Sequence, residues 1–425
     1  MLLKSSTKRG SYITSRFDMN RTLYGPITQL LTMASLPDKG PIADAALEII
    51  PDAALLVEGN RIVAVGMFAA LKGAGDHIET TSPCVVMPGL IDTHTHLCFA
   101  GSRAGDYSAR ISGKTYQEIL ESGGGIMDTV QKTRACDGKM LVELLLQRLA
   151  RHASEGVTTC EIKSGYGLSV EHELKILHAI GEAAELQPVS LVSTCLAAHI
   201  TPPEFESPAM YLEHILAELL PIVSRESLAQ RVDIFIEPSA FPAAIAASFL
   251  KRAMSMGFMA TVHADQFTTG GSAVAIDVGA ISADHLEASG DDDIKALAAS
   301  SVTATVLPGA SLGLGMHFAP ARKILDYGCA LVIASDWNPG SAPMGDLLMQ
   351  ASVLSAQQKL SNAETLSAVT FRAARALGLS DRGTLEAGKR ADFIAFPVDD
   401  YREILYHQGK LKPSRVWIAG KEFSS

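Results

Sequence analysis

Imidazole, carboxylate and ammonium side chains recur at the ends of β-rich runs in this chain. They are His94-Thr95-His96, then Lys163, His199, Glu237, His263, His285 and Asp336. Alternate residues of an extended segment share a face, so His94 and His96 can point the same way. Joined by His263 and Asp336, they form a set of three imidazoles and one carboxylate. Such a set suits one borderline divalent cation, Zn²⁺ or Fe²⁺, with a position left for water. A single histidine at a strand end commonly satisfies one local hydrogen bond and does no more. Four ligand-type residues at the ends of three runs in one repeated pattern outweigh that plainer account. His285 is then left to orient or shuttle protons beside an attacking water, and Asp336 can both ligate and accept a proton. Lys163 invites a different chemistry, a carboxylated bridge between two metals. It lies on the second run, away from the fifth, so a structural or supporting role is expected.

Other residues offer handles for a substrate. Arg103 follows the His-Thr-His pair and could fork onto a carboxylate. The glycines of Ser164-Gly165-Tyr166-Gly167 allow a tight turn that presents the Tyr166 phenol. Asn338-Pro339-Gly340-Ser341 gathers an amide, backbone N–H groups and a hydroxyl in one turn, although ordinary turn chemistry accounts equally well for such residues.

These positions imply elements to hold them. Eight β-rich runs follow Cys84: CVVMPGLIDTH, VTTCEIKSG, VSLVSTCLAAH, VDIFIEPSAF, FMATVHAD, AISADHL, VTATVLPG and ALVIASD. Between them lie segments such as LVELLLQRLARHASEG, HELKILHAIGEAAEL, YLEHILAELLPIV and AAIAASFLKRAMSMG, apolar at three- and four-residue spacing. Near-continuous apolar strands alternating with amphipathic helices predict a parallel sheet covered by helices, and eight units predict a (β/α)₈ TIM-type barrel. An open doubly wound sheet lacks its glycine fingerprint here. Both flanks read as β structure: ALLVEGNRIVAVG contains a hairpin turn, and GTLEAGKRADFIAF has short strands broken by glycine. The expected organisation is a small β-sandwich-like domain from residues 1–83 and 376–425, with the barrel, 84–375, inserted between its halves.

Composition narrows the function classes. A chain of 425 residues is long enough for a barrel of about 250 residues and a smaller domain. The net charge of −10 and the absence of a dense basic run argue against nucleic acid as a partner. Six scattered cysteines without a C-x-x-C pair predict reduced thiols and a cytoplasmic location. No apolar stretch reaches transmembrane length, so no membrane association is expected. The first twenty residues are basic and rich in Ser and Thr without an apolar core, and read as an uninformative extension.

The strings PGLIDTHTH, HAD and SDWNPG resemble the amidohydrolase superfamily. Longer strings, DTHTHLCFAGSRAGDY, TYQEILESGGGI, EIKSGYGLSVEHELKIL and ARKILDYGCALVIASDWNPGSAP, are similar to the branch that opens the ring of 4-imidazolone-5-propanoate. The likeness spans about residues 24 to 421. It implies hydrolysis of that cyclic amide to N-formimino-L-glutamate by a metal-activated water, in histidine degradation, with one zinc or iron per chain. Carried over, it implies metal ligands His94, His96, His263 and Asp336, and substrate contacts Arg103, Tyr166, His199, Gln266, Asn338, Gly340 and Ser341. His285, Asp336 and Gln266 fall on the catalytic positions. Gln266 departs from the Glu common in the family; an amide can hydrogen-bond the ring but is no general base, so proton transfer should rest on Asp336 and His285. Glu237-Pro238-Ser239 also departs from the usual EKG and touches no implied ligand. The partner implied is a small molecule, and a homodimer is compatible with the resemblance. The rival readings are a deaminase of a small heterocycle using the same ligand set, and a barrel that binds a metabolite without catalysis.

Overall fold

In the computed structural model, which describes residues 21–79 and 83–424, the chain forms two eight-stranded sheets. The N-terminal residues 1–20, read above as an extension, lie outside the described residues.

One sheet is the barrel. Its strands are Leu90–Asp92, Val157–Lys163, Ser190–Ala198, Arg231–Ile234, Met259–Ala264, Ser282–His285, Thr303–Val306 and Leu331–Ile333. Each pairs parallel with the next. Backbone bonds close the ring just beyond the first and last strands: Asp336 N–H donates to the His94 carbonyl at 3.0 Å, and His96 N–H to the Trp337 carbonyl at 2.9 Å. Below that seam, Asp92 Oδ1 accepts from Ser335 N–H at 3.0 Å and its Oδ2 lies 2.9 Å from His152 Nε2. All eight runs read from the sequence thus contribute a barrel strand.

The helices follow their apolar stripes. Leu141, Leu145 and Leu149 in the helix Gly138–Ser154 are fully buried, as are Ile176, Leu177 and Ala183 in Val170–Leu186. Burying each large aliphatic side chain contributes about 1.5–3 kcal/mol. Ser169 caps the second helix by accepting from His172 N–H. No helix among the described residues is long and apolar enough to cross a membrane.

The second sheet is mixed and drawn from both flanks. Its order is Lys421–Glu422, Arg415–Ile418, Phe393–Phe396, Val85–Pro88, Arg21–Leu31, Ile49–Glu58 and Arg61–Met67, with His77–Glu79 also on Arg21–Leu31. The expected hairpin forms at Gly59-Asn60, where Glu58 pairs with Arg61. Its core is aromatic. Phe393 stacks on Trp417 with centroids 4.5 Å apart, and Tyr24 meets both edge-on at 5.2 and 5.4 Å.

The sequence run CVVMPGLIDTH is divided between the two sheets. Val85–Pro88 pairs with Arg21–Leu31 and Phe393–Phe396, and only Leu90–Asp92 joins the barrel. Gly89 makes the division: a Cβ there would come within 2.3 Å of Thr158 Oγ1, so only glycine lets the chain cross this closely.

Candidate active site

The first, fifth and eighth barrel strands deliver four of the expected side chains to one point. His94 Nε2 lies 3.3 Å from His96 Nε2, which lies 3.4 Å from His263 Nε2. Asp336 Oδ1 is 3.4 Å from His96 Nε2 and 3.7 Å from His94 Nε2. All four residues are buried.

Carboxylates lie behind two of these rings, hydrogen-bonded to His94 and in ion-pair contact with His263. His94 Nδ1 is 2.7 Å from Asp284 Oδ2, and His263 Nδ1 is 3.0 Å from Asp233 Oδ2. A carboxylate that accepts a hydrogen bond from Nδ1–H keeps the proton on that nitrogen and leaves Nε2 as a bare lone pair. Burial, reinforced by Lys163 and the neighbouring histidines, pushes His94 well below the ordinary imidazole range. Burial does the same for His96, helped by His199, and takes His263 to about 4 despite Asp233. Neutral imidazoles with lone pairs facing one another, and a carboxylate oxygen beside them, are an acceptor-rich cluster. One proton on His96 Nε2 could satisfy a single neighbour, and the rest lack a donor. The buried Nδ1 of His96 also has no hydrogen-bond partner among the described residues. A divalent cation resolves this arrangement, and the ring nitrogens of His94, His96 and His263 lie within 4.8 Å of one another, close enough to share one. The donor set therefore fits a metal.

Asp336 and His285 face the same space from strands eight and six. Both sit in the left-handed region, with φ of 50° and 88°, which turns each side chain off its strand end. Burial raises Asp336 to about 6 against the opposing charge of His285. Burial alone would depress His285, but Glu287, whose Oε2 is 3.5 Å from its Nδ1, prevails and leaves it raised. The His285 ring lies 5.2 Å from that of His263.

The remaining expected residues line the approach. His199 stacks on His96 at 5.3 Å, its Nδ1 3.0 Å from the Gly165 carbonyl, and burial drives it down to about 3. The Tyr166 ring is 5.9 Å from His96 and 5.5 Å from His199. Arg103 donates Nε–H to Asp106 at 2.8 Å and reaches the turn after strand eight, where a Cβ on Gly340 would meet its Nη1 at 2.4 Å. Asn338 and Ser341 are engaged with the turn itself: Asn338 Oδ1 accepts from Gly340 and Ser341 N–H, and its Nδ2 donates to Ser341 Oγ at 2.8 Å. Gln266 is buried in the turn after strand five. That turn is braced by Glu237, which accepts from Phe267 N–H at 2.8 Å and Thr268 Oγ1–H at 2.6 Å. Lys163 is ion-paired inside the barrel, 2.8 Å from both Glu161 Oε1 and Asp233 Oδ2.

Sequence reasoning missed Asp233, Asp284, Glu287 and Asp106. Asp233 and Asp284 carried a usable signal, since each places a charge inside a short apolar strand. Glu287 lies in a turn and Asp106 in the first turn of the helix Ala104–Ile111, and only the fold brings either to the site.

The amidohydrolase family matches residues 85–423. An imidazolonepropionase from Deinococcus radiodurans is 44% identical over 408 residues, covering 95% of this chain and all of that one. One from Bdellovibrio bacteriovorus is 39% identical, covering 93% of this chain and 95% of that protein. Among solved structures, a triazine hydrolase variant superposes with a TM-score of 0.71 at 18% identity, over 95% of this chain and 94% of its own; at that identity the likeness concerns the fold.

Proposed function

The chain belongs to the amidohydrolase family, within its imidazolonepropionases, and from that premise we propose how its residues open the lactam of 4-imidazolone-5-propanoate to give N-formimino-L-glutamate in histidine degradation. The reading rests on one observation above the others: three neutral imidazoles and the Asp336 carboxylate converge beside a turn on which an arginine is packed.

His94, His96, His263 and Asp336 would hold one zinc or iron ion. Such an ion lowers the pKa of a water and polarises the ring carbonyl. Asp336, whose Oδ1 lies 3.4 Å from His96 Nε2, takes the proton of the attacking water. The water oxygen bonds to the carbonyl carbon, and the ring C–N bond breaks. His285, with Glu287 Oε2 3.5 Å from its Nδ1, delivers the proton that the departing ring nitrogen needs. Arg103 receives the propanoate carboxylate, with its Nε side committed to Asp106 and its Nη side toward Gly340. Tyr166 and His199 flank the ring, and Asn338 and Ser341 keep the strand-eight turn in shape. Gln266 contributes hydrogen bonding and no proton transfer. Arg103 also separates this reading from a deaminase, because an anionic tail calls for a cation at the mouth.

The test is to load the protein with zinc or iron, add 4-imidazolone-5-propanoate, and follow loss of the ring absorbance with formation of N-formimino-L-glutamate. Elemental analysis should return one metal per chain. An inert imidazolone propanoate, together with ammonia release from an aminated heterocycle, would overturn the reading in favour of deamination.

A further inference from the structure

Lys163 is used by none of the steps above, yet it is fully buried at the centre of a charged chain of contacts. Its Nζ lies 2.8 Å from Asp233 Oδ2 and 3.9 Å from Asp284 Oδ2. These are the carboxylate oxygens that face His263 Nδ1 at 3.0 Å and His94 Nδ1 at 2.7 Å. Glu161, which touches neither histidine, completes the surroundings: its Oε1 is 2.8 Å from Lys163 Nζ and accepts from Thr194 Oγ1–H at 2.5 Å. One ammonium on strand two therefore reaches two ring-holding carboxylates on strands four and six, and through them histidines of strands one and five.

We infer that Lys163 is a positioning residue for the metal centre, a single cation that holds Asp233 and Asp284 so that His263 and His94 present Nε2 lone pairs to the same point. The physical reason lies in the cost of burying carboxylates. Two of them sit in a dry interior behind the histidine pair, one facing each Nδ1, and a buried carboxylate needs a partner to stay in place there. Separate cations would need separate space; one flexible stem ending in three N–H donors serves both. The same geometry argues against a carboxylated Lys163 bridging two metals. Turning this ammonium into a carbamate would set a fourth anion among Glu161, Asp233 and Asp284 and remove the cation that all three face.

This inference rests on the metal-site reading above, and the experiment separates the two. Wild-type protein that binds one zinc and turns over the imidazolone substrate upholds that reading whatever the variants do. The variants are Lys163→Met and the double variant Lys163→Met/Glu161→Gln, which removes one positive and one negative charge and so keeps the cluster's net charge. Each is stripped of metal, checked for fold by circular dichroism, and titrated with zinc against a chelating indicator. The expected result is a zinc affinity lower by about 10–100-fold in both, the usual effect of losing an outer partner of a ligating histidine. The visible spectrum of the cobalt-substituted protein should change shape, and kcat should fall more than KM rises. Zinc affinity and cobalt spectrum matching wild type in the double variant would overturn the inference and leave Lys163 a structural ion pair. Two tightly bound metals in wild type would overturn it in favour of the carbamate bridge. If neither lysine variant folds, Asp233→Asn and Asp284→Asn decide: each should loosen zinc on the same scale, and unchanged affinity in both overturns the proposal.

Discussion

The two sheets of this molecule solve opposite problems with their interiors. In the flank sheet, Tyr24, Phe393 and Trp417 fill the space with aromatic area, and Arg415 lies over the Trp417 ring at 4.4 Å. The barrel instead gathers His94, His96, His263, Asp233, Asp284 and Lys163, all nearly inaccessible to solvent. Aromatic packing stabilises through burial and tolerates modest shifts in any one ring. A buried ionic chain gains little net stability, because desolvation offsets its Coulomb attraction, and it fails sharply when one member is removed. What the barrel mouth gains instead is geometry: the His94 and His263 rings each face a carboxylate that Lys163 in turn reaches. The contrast predicts that damage to one interior should appear as lost stability, and damage to the other as lost chemistry.

The sharpest way to probe the chemical side is to pair His263→Asn with His285→Asn. The first removes a proposed ligand, and metal and turnover should vanish together. The second should keep its metal while turnover falls by about 10²–10⁴-fold, the scale of losing a positioned acid–base group. A His285→Asn protein with an empty site would transfer His285 to the ligand set. Trp417→Ala probes the other interior. It should destabilise the protein by about 3–5 kcal/mol, seen as a lower Tm, while turnover per folded molecule is preserved. A loss of turnover in fully folded Trp417→Ala would erase the distinction between the interiors.

Arg103→Met should act on substrate alone, weakening binding by about 2–4 kcal/mol as a raised KM with little change in Tm. KM and Tm both at wild-type values would mean that the tail is held elsewhere, with Arg110, which donates to the Gly340 carbonyl at 3.3 Å, the next residue to examine. The smallest effect belongs to Gln266→Glu, which should leave metal content intact and turnover at least at the wild-type level. A fall in turnover would show that the amide has been incorporated into this site's hydrogen bonding.

Much of this was legible in the sequence because strand alternation and helical stripes are local patterns. The eight barrel strands and the helices Gly138–Ser154, Val170–Leu186 and Ala243–Ser255 follow directly from them. The convergence of His94, His96, His263 and Asp336 was legible because a barrel brings its strand ends to one face. The split at Gly89 was not, since an unbroken apolar run hides the change of sheet. The carboxylates behind the histidines stood out only as charges inside apolar strands: Asp233 and Asp284 are 51 residues apart, and their meeting around Lys163 comes from barrel closure. Lys163 itself was visible, but its partners, and hence its role, were not.

The division of one run between two sheets also bears on the order in which the chain can fold as it is made. Val85–Pro88 finds one neighbour in Arg21–Leu31, available early in synthesis, and the other in Phe393–Phe396, available only near the end. Through the whole assembly of the barrel, that strand therefore keeps an open, apolar edge able to pair with another chain. Phe393–Phe396 covers that edge once it pairs, immediately beside the strand leading into His94 and His96.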